Sequence, residues 1–399
     1  MSRVLLLLLL LAAFFACACD APSDVCAKLP ERLRRCDLPA PRVDCSLLDD
    51  DEQRFVADQV DGLNCERAID PTSGRVDERL CRLFGWPCPD ALYPEPQAGY
   101  TRHTLLFVSG IDGSPTFDWH PRILEALRKL GYAVRHVRLS PWADRRQRAF
   151  DLWQVVESQP GSGKVNLICW AVGGLDCRYM VSPGGLFADD ANKQQQVASR
   201  VASITTISTP HYGTEVARVA QTALQGDAKA LLAAWVGSSS GAALSQGSID
   251  RALAELTPEA LAQLNAHVVD EPSIPYFSWA GVSAIGGNEQ LLDLAAVTKV
   301  CTDDTGHLLF EHTAHDSLNE LLLLGAPFAG SLPSPLVSGP HDGLVAVASA
   351  RWGTFRGCVP ADHYDMVGQI GSFGVDPRSG FDAARFYANL AADLAARGL

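Results

Sequence analysis

The chain has 399 residues, 47% of them hydrophobic, and carries a formal net charge of −13. That length supports one large core of the α/β type plus a smaller appendage. The acidic balance excludes nucleic acid as a partner, because phosphate binding needs a basic face, and disfavours an anionic membrane surface.

Arg3 followed by the apolar run Val4 to Phe15 has the positive start and short apolar core of an export signal over residues 1–19. It is too short to span a bilayer as a mature helix. Its end, FFACACD, also offers Cys17 or Cys19 as the lipidated first residue of a bacterial lipoprotein. Two destinations follow for a protein exported from a bacterial cell. One is a periplasmic or outer-membrane lipoprotein held at the membrane by lipidation; the other is a secreted protein.

With Cys17 and Cys19 set aside, ten cysteines remain, and six of them, Cys26, Cys36, Cys45, Cys65, Cys81 and Cys88, crowd into the first quarter of the chain. In an oxidising compartment this even count implies a disulfide framework of open connectivity. A zinc site is the rival reading, but no CxxC pair occurs there. Residues 20–98 are therefore expected to form a small, disulfide-stapled helical module, ending in the Pro/Gly linker Tyr93 to Gly99, and to be a candidate surface for a protein partner. Cys301 and Cys358 offer one further bridge. Cys169 and Cys177 are expected to behave as small buried hydrophobes.

From His103 the pattern alternates. Thr104 to Val108 reads as a strand, Pro121 to Leu130 as a helix ended by Gly131, and Ala133 to Leu139 as a strand. Ala149 to Ser158 reads as a helix, with strands following at Val165 and at Ile204 to Ile207. Strands separated by helices of this length predict a mostly parallel sheet with helices on both faces over residues 99–399. Ligands in such sheets sit beyond the carboxyl ends of the strands. The Ala- and Leu-rich stretch Val216 to Ala254 reads as amphipathic helices broken by Gly237 to Gly241, which suits a movable lid over about 214–254 or a plain surface pair.

Three constellations fall at strand ends. Ser109-Gly110-Ile111-Asp112-Gly113 is a glycine turn that lets backbone N–H groups face a site. Val165 to Met180, VNLICWAVGGLDCRYM, reads as a buried strand, a sharp turn between small residues and a helix, the frame that raises a nucleophile above a sheet. At its centre stands Ala171, whose methyl group cannot attack. Asp342 and, downstream, His363 supply an acid and a histidine in the chain order of a hydrolase triad.

Taken in order, these motifs resemble the secreted bacterial triacylglycerol lipases of the α/β-hydrolase fold. The segments carrying the resemblance are Val165 to Met180, Ser208-Thr209-Pro210-His211-Tyr212-Gly213-Thr214, Tyr276 to Gly281, Asp342-Gly343-Leu344-Val345 and His363-Tyr364-Asp365. The resemblance implies an α/β-hydrolase domain with a helical lid. In it Asp342 would be the triad acid, His363 the triad histidine, and the N–H groups of Ile111 and Val172 the oxyanion hole. It also implies a structural calcium ion held by Asp365, by Asp316 as the best second carboxylate, and by the backbone carbonyl of Gln369.

The departures are Ser109 in place of His, Cys169 and Trp170 in place of Gly and His, and Ala171 in place of the nucleophilic Ser. Together they favour a lineage that has lost the chemistry and binds a lipid, an acyl ester or a protein partner without hydrolysing it. The alternative is an active triacylglycerol lipase or carboxylesterase that uses another nucleophile.

Overall fold

The computed structural model describes residues 98–112, 118–160, 163–223, 246–283, 294–302, 322, 339–369 and 381–399, all within the compact unit Asp90–Leu399. The export signal, the cysteine-rich module up to residue 97, Gly237 to Gly241 and Asp316 lie outside the described residues.

Six strands, β1 (Thr104–Val108), β2 (Val134–Val137), β3 (Val165–Trp170), β4 (Val201–Ile207), β5 (Tyr276–Gly281) and β6 (Thr354–Val359), form one sheet in the order β2-β1-β3-β4-β5-β6. Every pairing among them is parallel. Side chains alternate across a strand, so a sheet covered on both faces needs apolar residues at odd and even positions alike. β1 shows this. Leu105 and Phe107 pack with Ile123 and Leu127 of α1 (Pro121–Lys129) and with Phe386 and Leu390 of α10 (Ala383–Ala396). Leu106 and Val108 face the opposite way. They meet Leu152 and Trp153 of α2 (Arg145–Glu157), Met180 of α3 (Val172–Val181) and Val197 of α4 (Ala191–Ser199).

The expected elements from Thr104 to Ile207 are all present, with shifted edges. α2 begins at Arg145 rather than Ala149 because the Asp144 side chain accepts from Gln147 N and caps a first turn too polar to show helical periodicity. β6 had no counterpart in the sequence reading, since Arg356 and Gly357 break its apolar alternation. Two helices, α5 (Glu215–Ala223) and α6 (Gln246–Ala254), flank the undescribed centre of the segment read as a lid or a surface pair, and α7 (Pro258–His267) follows. α8 (Leu294–Cys301) and the short α9 (Val347–Ala350) complete the helices used below.

The chain steps from β1 outward to β2 and then returns to β3 on the other side. This reversal opens a crevice at the carboxyl ends of β1 and β3, the ordinary place for a ligand in such a sheet. Gly110 and Ala171 stand at those two ends.

Two disulfides are present among the described residues. Cys301–Cys358 ties α8 to β6 as expected. Cys169–Cys177 corrects the reading of these two as separate hydrophobes: both side chains lie on the face where α3 packs on β3, and they are bonded. The loops closed span 57 and 8 residues. Loop entropy grows with length, so the Cys301→Ala/Cys358→Ala pair is expected to cost about 4 kcal/mol and the Cys169→Ala/Cys177→Ala pair about 2.5 kcal/mol. Urea denaturation of both double variants checks the order; a larger loss at the short loop would contradict the entropic account.

Candidate functional site

The turn after β3 keeps the bend of a nucleophile elbow. Ala171 sits at φ 51°, ψ −128°, a region costly for any residue with a Cβ, and forms the N-cap of α3 with no side-chain cap. Its N–H donates to Ile207 O (2.9 Å) and its carbonyl accepts from Gly174 N (3.1 Å). The glycines permit the close approach of α3 to β1. A Cβ at 173 would come within 2.5 Å of Ser109 O, and one at 174 would overlap the Thr209 side chain.

A buried ion pair aims the neighbouring loop. Arg148, 1% exposed, bonds Asp176 of α3 through Nε at 2.8 Å. Its other nitrogens donate to Gly110 O (2.7 Å), Ser109 O (3.4 Å), Ile111 O (3.3 Å) and Ser140 O (3.1 Å). In a trans peptide the carbonyl and the following N–H point opposite ways. With Gly110 O fixed on Arg148, the Ile111 N–H is turned away from the guanidinium. Burial pushes the Asp176 carboxyl up, with Arg148 pulling it back. Arg148 belongs to no motif that sequence reading picked out, and Asp176 lies within the Val165 to Met180 motif without a role assigned to it there.

Asp342 and His363 meet as expected. His363 Nδ1 lies 2.8 Å from Asp342 Oδ2, and His363 N donates to Asp342 O at 2.9 Å. Asp342 Oδ1 accepts from Leu344 N (3.0 Å) and Val345 N (2.7 Å). Burial opposes its charge, but His363 and those two N–H groups outweigh burial and hold the carboxyl below its ordinary value. A carboxylate only accepts, so Nδ1 carries the shared proton and Nε2 is the atom left for chemistry. Gly281, at the end of β5, makes room for this pair, since a Cβ there would crowd Asp342 and Ala361.

Trp170 joins the elbow to the histidine loop. Its ring packs on His363 with centroids 5.1 Å apart, its Nε1 donates to His363 O (3.2 Å), and its face lies where a Gly110 side chain would stand. Ile111 and Val172, the expected oxyanion residues, pack their apolar side chains onto a cluster of Leu175, Ala217, Leu256 and Leu261, beside Leu253 of α6 and Leu264 of α7.

Two nucleophilic side chains beside the turn, Ser109 and Cys169, are both engaged elsewhere. Ser109 is fully buried, and its Oγ is bonded to Asp118 Oδ2 (2.9 Å), His136 Nε2 (3.1 Å) and Val137 O (3.1 Å), away from the crevice. Cys169 is spent in the disulfide.

Of the expected calcium ligands, Asp365 is buried on the turn Asp365–Val367 after His363, and Gln369 follows it, its side chain donating to Asp118 O. No group of three or more His, Cys, Asp or Glu is gathered for a metal among the described residues. One carboxylate and one carbonyl fall short of the six to eight oxygens calcium takes, so the described residues do not by themselves make the site.

Arg178, matched by the resemblance, lies elsewhere: it stacks 3.5 Å over Trp352 and bonds Asn265 and His211. Burial lowers its pKa to about 10 and, helped by Arg178, keeps His211 neutral.

A six-stranded parallel sheet, an elbow at the end of β3 and an acid–histidine pair beyond β5 and β6 define an α/β-hydrolase fold. The chain is similar in sequence to triacylglycerol lipases. It is 28% identical over 305 residues to a triacylglycerol lipase of Pseudarthrobacter phenanthrenivorans, covering 68% of this chain and 90% of that one. It is equally identical over 305 residues to a triacylglycerol lipase of Burkholderia plantarii, covering 68% and 80%. The crystal structure of Staphylococcus hyicus lipase superposes with a TM-score of 0.50 at 17% identity, over 76% of this chain and 97% of that one, and supports the fold alone. No protein-family model matches the chain.

Proposed function

We propose that this chain is an exported, non-hydrolytic acyl-binding protein built on the lipase fold. The observation that carries the reading is a methyl group at 171 on an elbow still bent for a nucleophile, beside an intact Asp342–His363 pair. Triad chemistry begins when the histidine takes a proton from an attacking oxygen, and here no side-chain oxygen stands at the elbow. In this reading the groups beside the elbow serve binding. N–H groups of Ile111 and Val172 meet the polar end of a lipid or acyl ester, and the apolar cluster beside α6 and α7 meets its chain. Export through residues 1–19, membrane attachment by lipidation and partner contacts through residues 20–98 belong to the same reading, supported by the signal-like start and the cysteine content.

The test is hydrolysis of p-nitrophenyl butyrate and palmitate by purified protein, wild type against His363→Ala. Equal, background-level rates are expected. Wild-type turnover that disappears in His363→Ala would overturn the reading in favour of an esterase with another nucleophile.

A structural calcium ion at Asp365, Gln369 and Asp316 is part of the proposal. One millimolar-scale addition of calcium after chelation is expected to raise the melting temperature by several degrees, since a ligand bound only by the native state stabilises it by mass action. Asp365→Asn is expected to lose that rise.

A further inference from the structure

A cavity of about 320 Å³ is lined by Tyr212, Asp270, Arg351, Trp352, Gly353 and Phe355. None of these residues belongs to the elbow, to the Asp342–His363 pair or to the apolar cluster around Ile111 and Val172. Its size and its aromatic walls with a few polar groups are those of a small-molecule site.

The walls are held in place before any ligand arrives. Trp352 N donates to Ser278 Oγ of β5 (2.9 Å), and Trp352 O accepts from the same hydroxyl (2.7 Å). The Arg178 guanidinium stacks 3.5 Å over the Trp352 ring, and the His211 ring lies parallel to it at 5.0 Å. Trp352 Nε1 then donates to both oxygens of Asp270 at 2.9 Å, which fixes the carboxylate on the cavity wall. Arg351 is anchored through Nη1 on Val300 O (2.8 Å) and Thr302 O (3.2 Å) and stacks 4.1 Å over Phe355. Gly353 has φ 57°, and a Cβ there would come within 2.5 Å of Tyr276 O, so the stretch of wall at 353 stays without a side chain.

Two groups in this wall have capacity to bind. A carboxylate accepts along roughly four directions, and the Asp270 side chain, 36% exposed, receives one N–H. Tyr212 presents a ring that is 53% exposed, 5.6 Å from Trp352. The surrounding charges select the class of ligand. A cation seeks aromatic faces, and here it would meet Arg178 on Trp352 and Arg351 on Phe355. An anion would meet the Asp270 carboxylate. A neutral ring of hydroxyls avoids both conflicts. Its hydroxyls donate to Asp270 in charge-assisted bonds, and its apolar C–H face lies on the Tyr212 ring, whose body is apolar and whose tip is polar.

We propose that this cavity is a binding site for a neutral pyranose sugar, separate from the crevice at Ala171 and independent of acyl binding there. The test is saturation-transfer NMR on the full-length protein with four sugars: methyl β-glucopyranoside, methyl β-galactopyranoside, methyl α-mannopyranoside and N-acetylglucosamine. Tetramethylammonium and methyl phosphate are the charged probes. At least one sugar is expected to bind, with the strongest transfer to its ring C–H protons, and neither charged probe is. Tyr212→Ala is expected to weaken that sugar about tenfold or more, as loss of an aromatic anchor does. Asp270→Asn, which keeps an acceptor oxygen for Trp352 Nε1, is expected to weaken it about fivefold. Absence of binding by all four sugars overturns the proposal, as does binding of tetramethylammonium or methyl phosphate in their place. Sugar binding unchanged in a folded Tyr212→Ala places the sugar elsewhere and overturns it too. Tyr212 is an exposed ring, so this variant decides even where Asp270→Asn fails to fold.

Discussion

Ala171→Ser is expected to turn the protein into an esterase, raising kcat/KM on p-nitrophenyl butyrate by about three orders of magnitude or more over wild type. In a serine hydrolase, loss of the nucleophile alone costs about as much as loss of the whole triad, near 10⁶ in kcat in subtilisin. Where the other parts are in place, returning the one missing atom therefore recovers most of what they do together. The parts here are specific: Asp342 and His363 bonded at 2.8 Å, and an Ile111 peptide fixed by Arg148. Serine carries the same Cβ that alanine already places at φ 51°, so the substitution adds no backbone strain. The expected gain is set below the subtilisin figure because Trp170 and Ser109 alter the surroundings of the site. The double variant Ala171→Ser/His363→Ala should return to the wild-type rate. A folded Ala171→Ser that stays silent would mean that more than the nucleophile has been lost.

The persistence of the bend at Ala171 needs its own account. Such backbone costs about 1–3 kcal/mol and survives only where its surroundings over-determine it. Here they do: the ladder bond from Ala171 N to Ile207 O, the glycines at 173 and 174, and the Cys169–Cys177 disulfide fix the turn from three sides. The elbow is thus a property of the sheet and helix packing and does not depend on a nucleophilic side chain at 171. A retained elbow alone is no evidence of turnover.

The pattern of strands and helices from Thr104 to Ile207 was legible because both faces of the sheet are covered, which writes mostly apolar runs into β1 and β3 and a run of apolar and small hydroxyl residues into β4. β6 was illegible because its sequence, TFRGCV, carries a charge and a glycine that only tertiary packing accommodates. At the site, Asp342, His363 and the elbow could be read because motif and chain order encode them. The role of Arg148 could not be read, since nothing in a sequence says that one helix's arginine will meet three consecutive carbonyls of a loop 37 residues or more upstream. The Cys169–Cys177 bond was hidden by a similar limit. Separation along the chain does not show that a strand face and a helix face will meet.

The second large effect is expected at Asp176. Asp176→Ala leaves the Arg148 guanidinium at 1% exposure without its carboxylate. Removing one partner of a buried pair typically costs about 3–5 kcal/mol, because the remaining charge can neither be neutralised nor reach water. Carbonyl dipoles of Ser109, Gly110, Ile111 and Ser140 soften the loss without replacing the carboxylate. Urea denaturation should show a lower midpoint at unchanged slope, and a loss under about 1 kcal/mol would refute a paired, charged core at this position. The pair also connects stability to the crevice. Asp176 holds Arg148, Arg148 holds the Gly110 carbonyl, and that carbonyl aims the Ile111 N–H. Placed in the Ala171→Ser background, Asp176→Ala should therefore lower kcat more than it raises KM, since an oxyanion donor acts most strongly on the charge that develops in the transition state. Equal effects on kcat and KM would assign the pair a structural role alone.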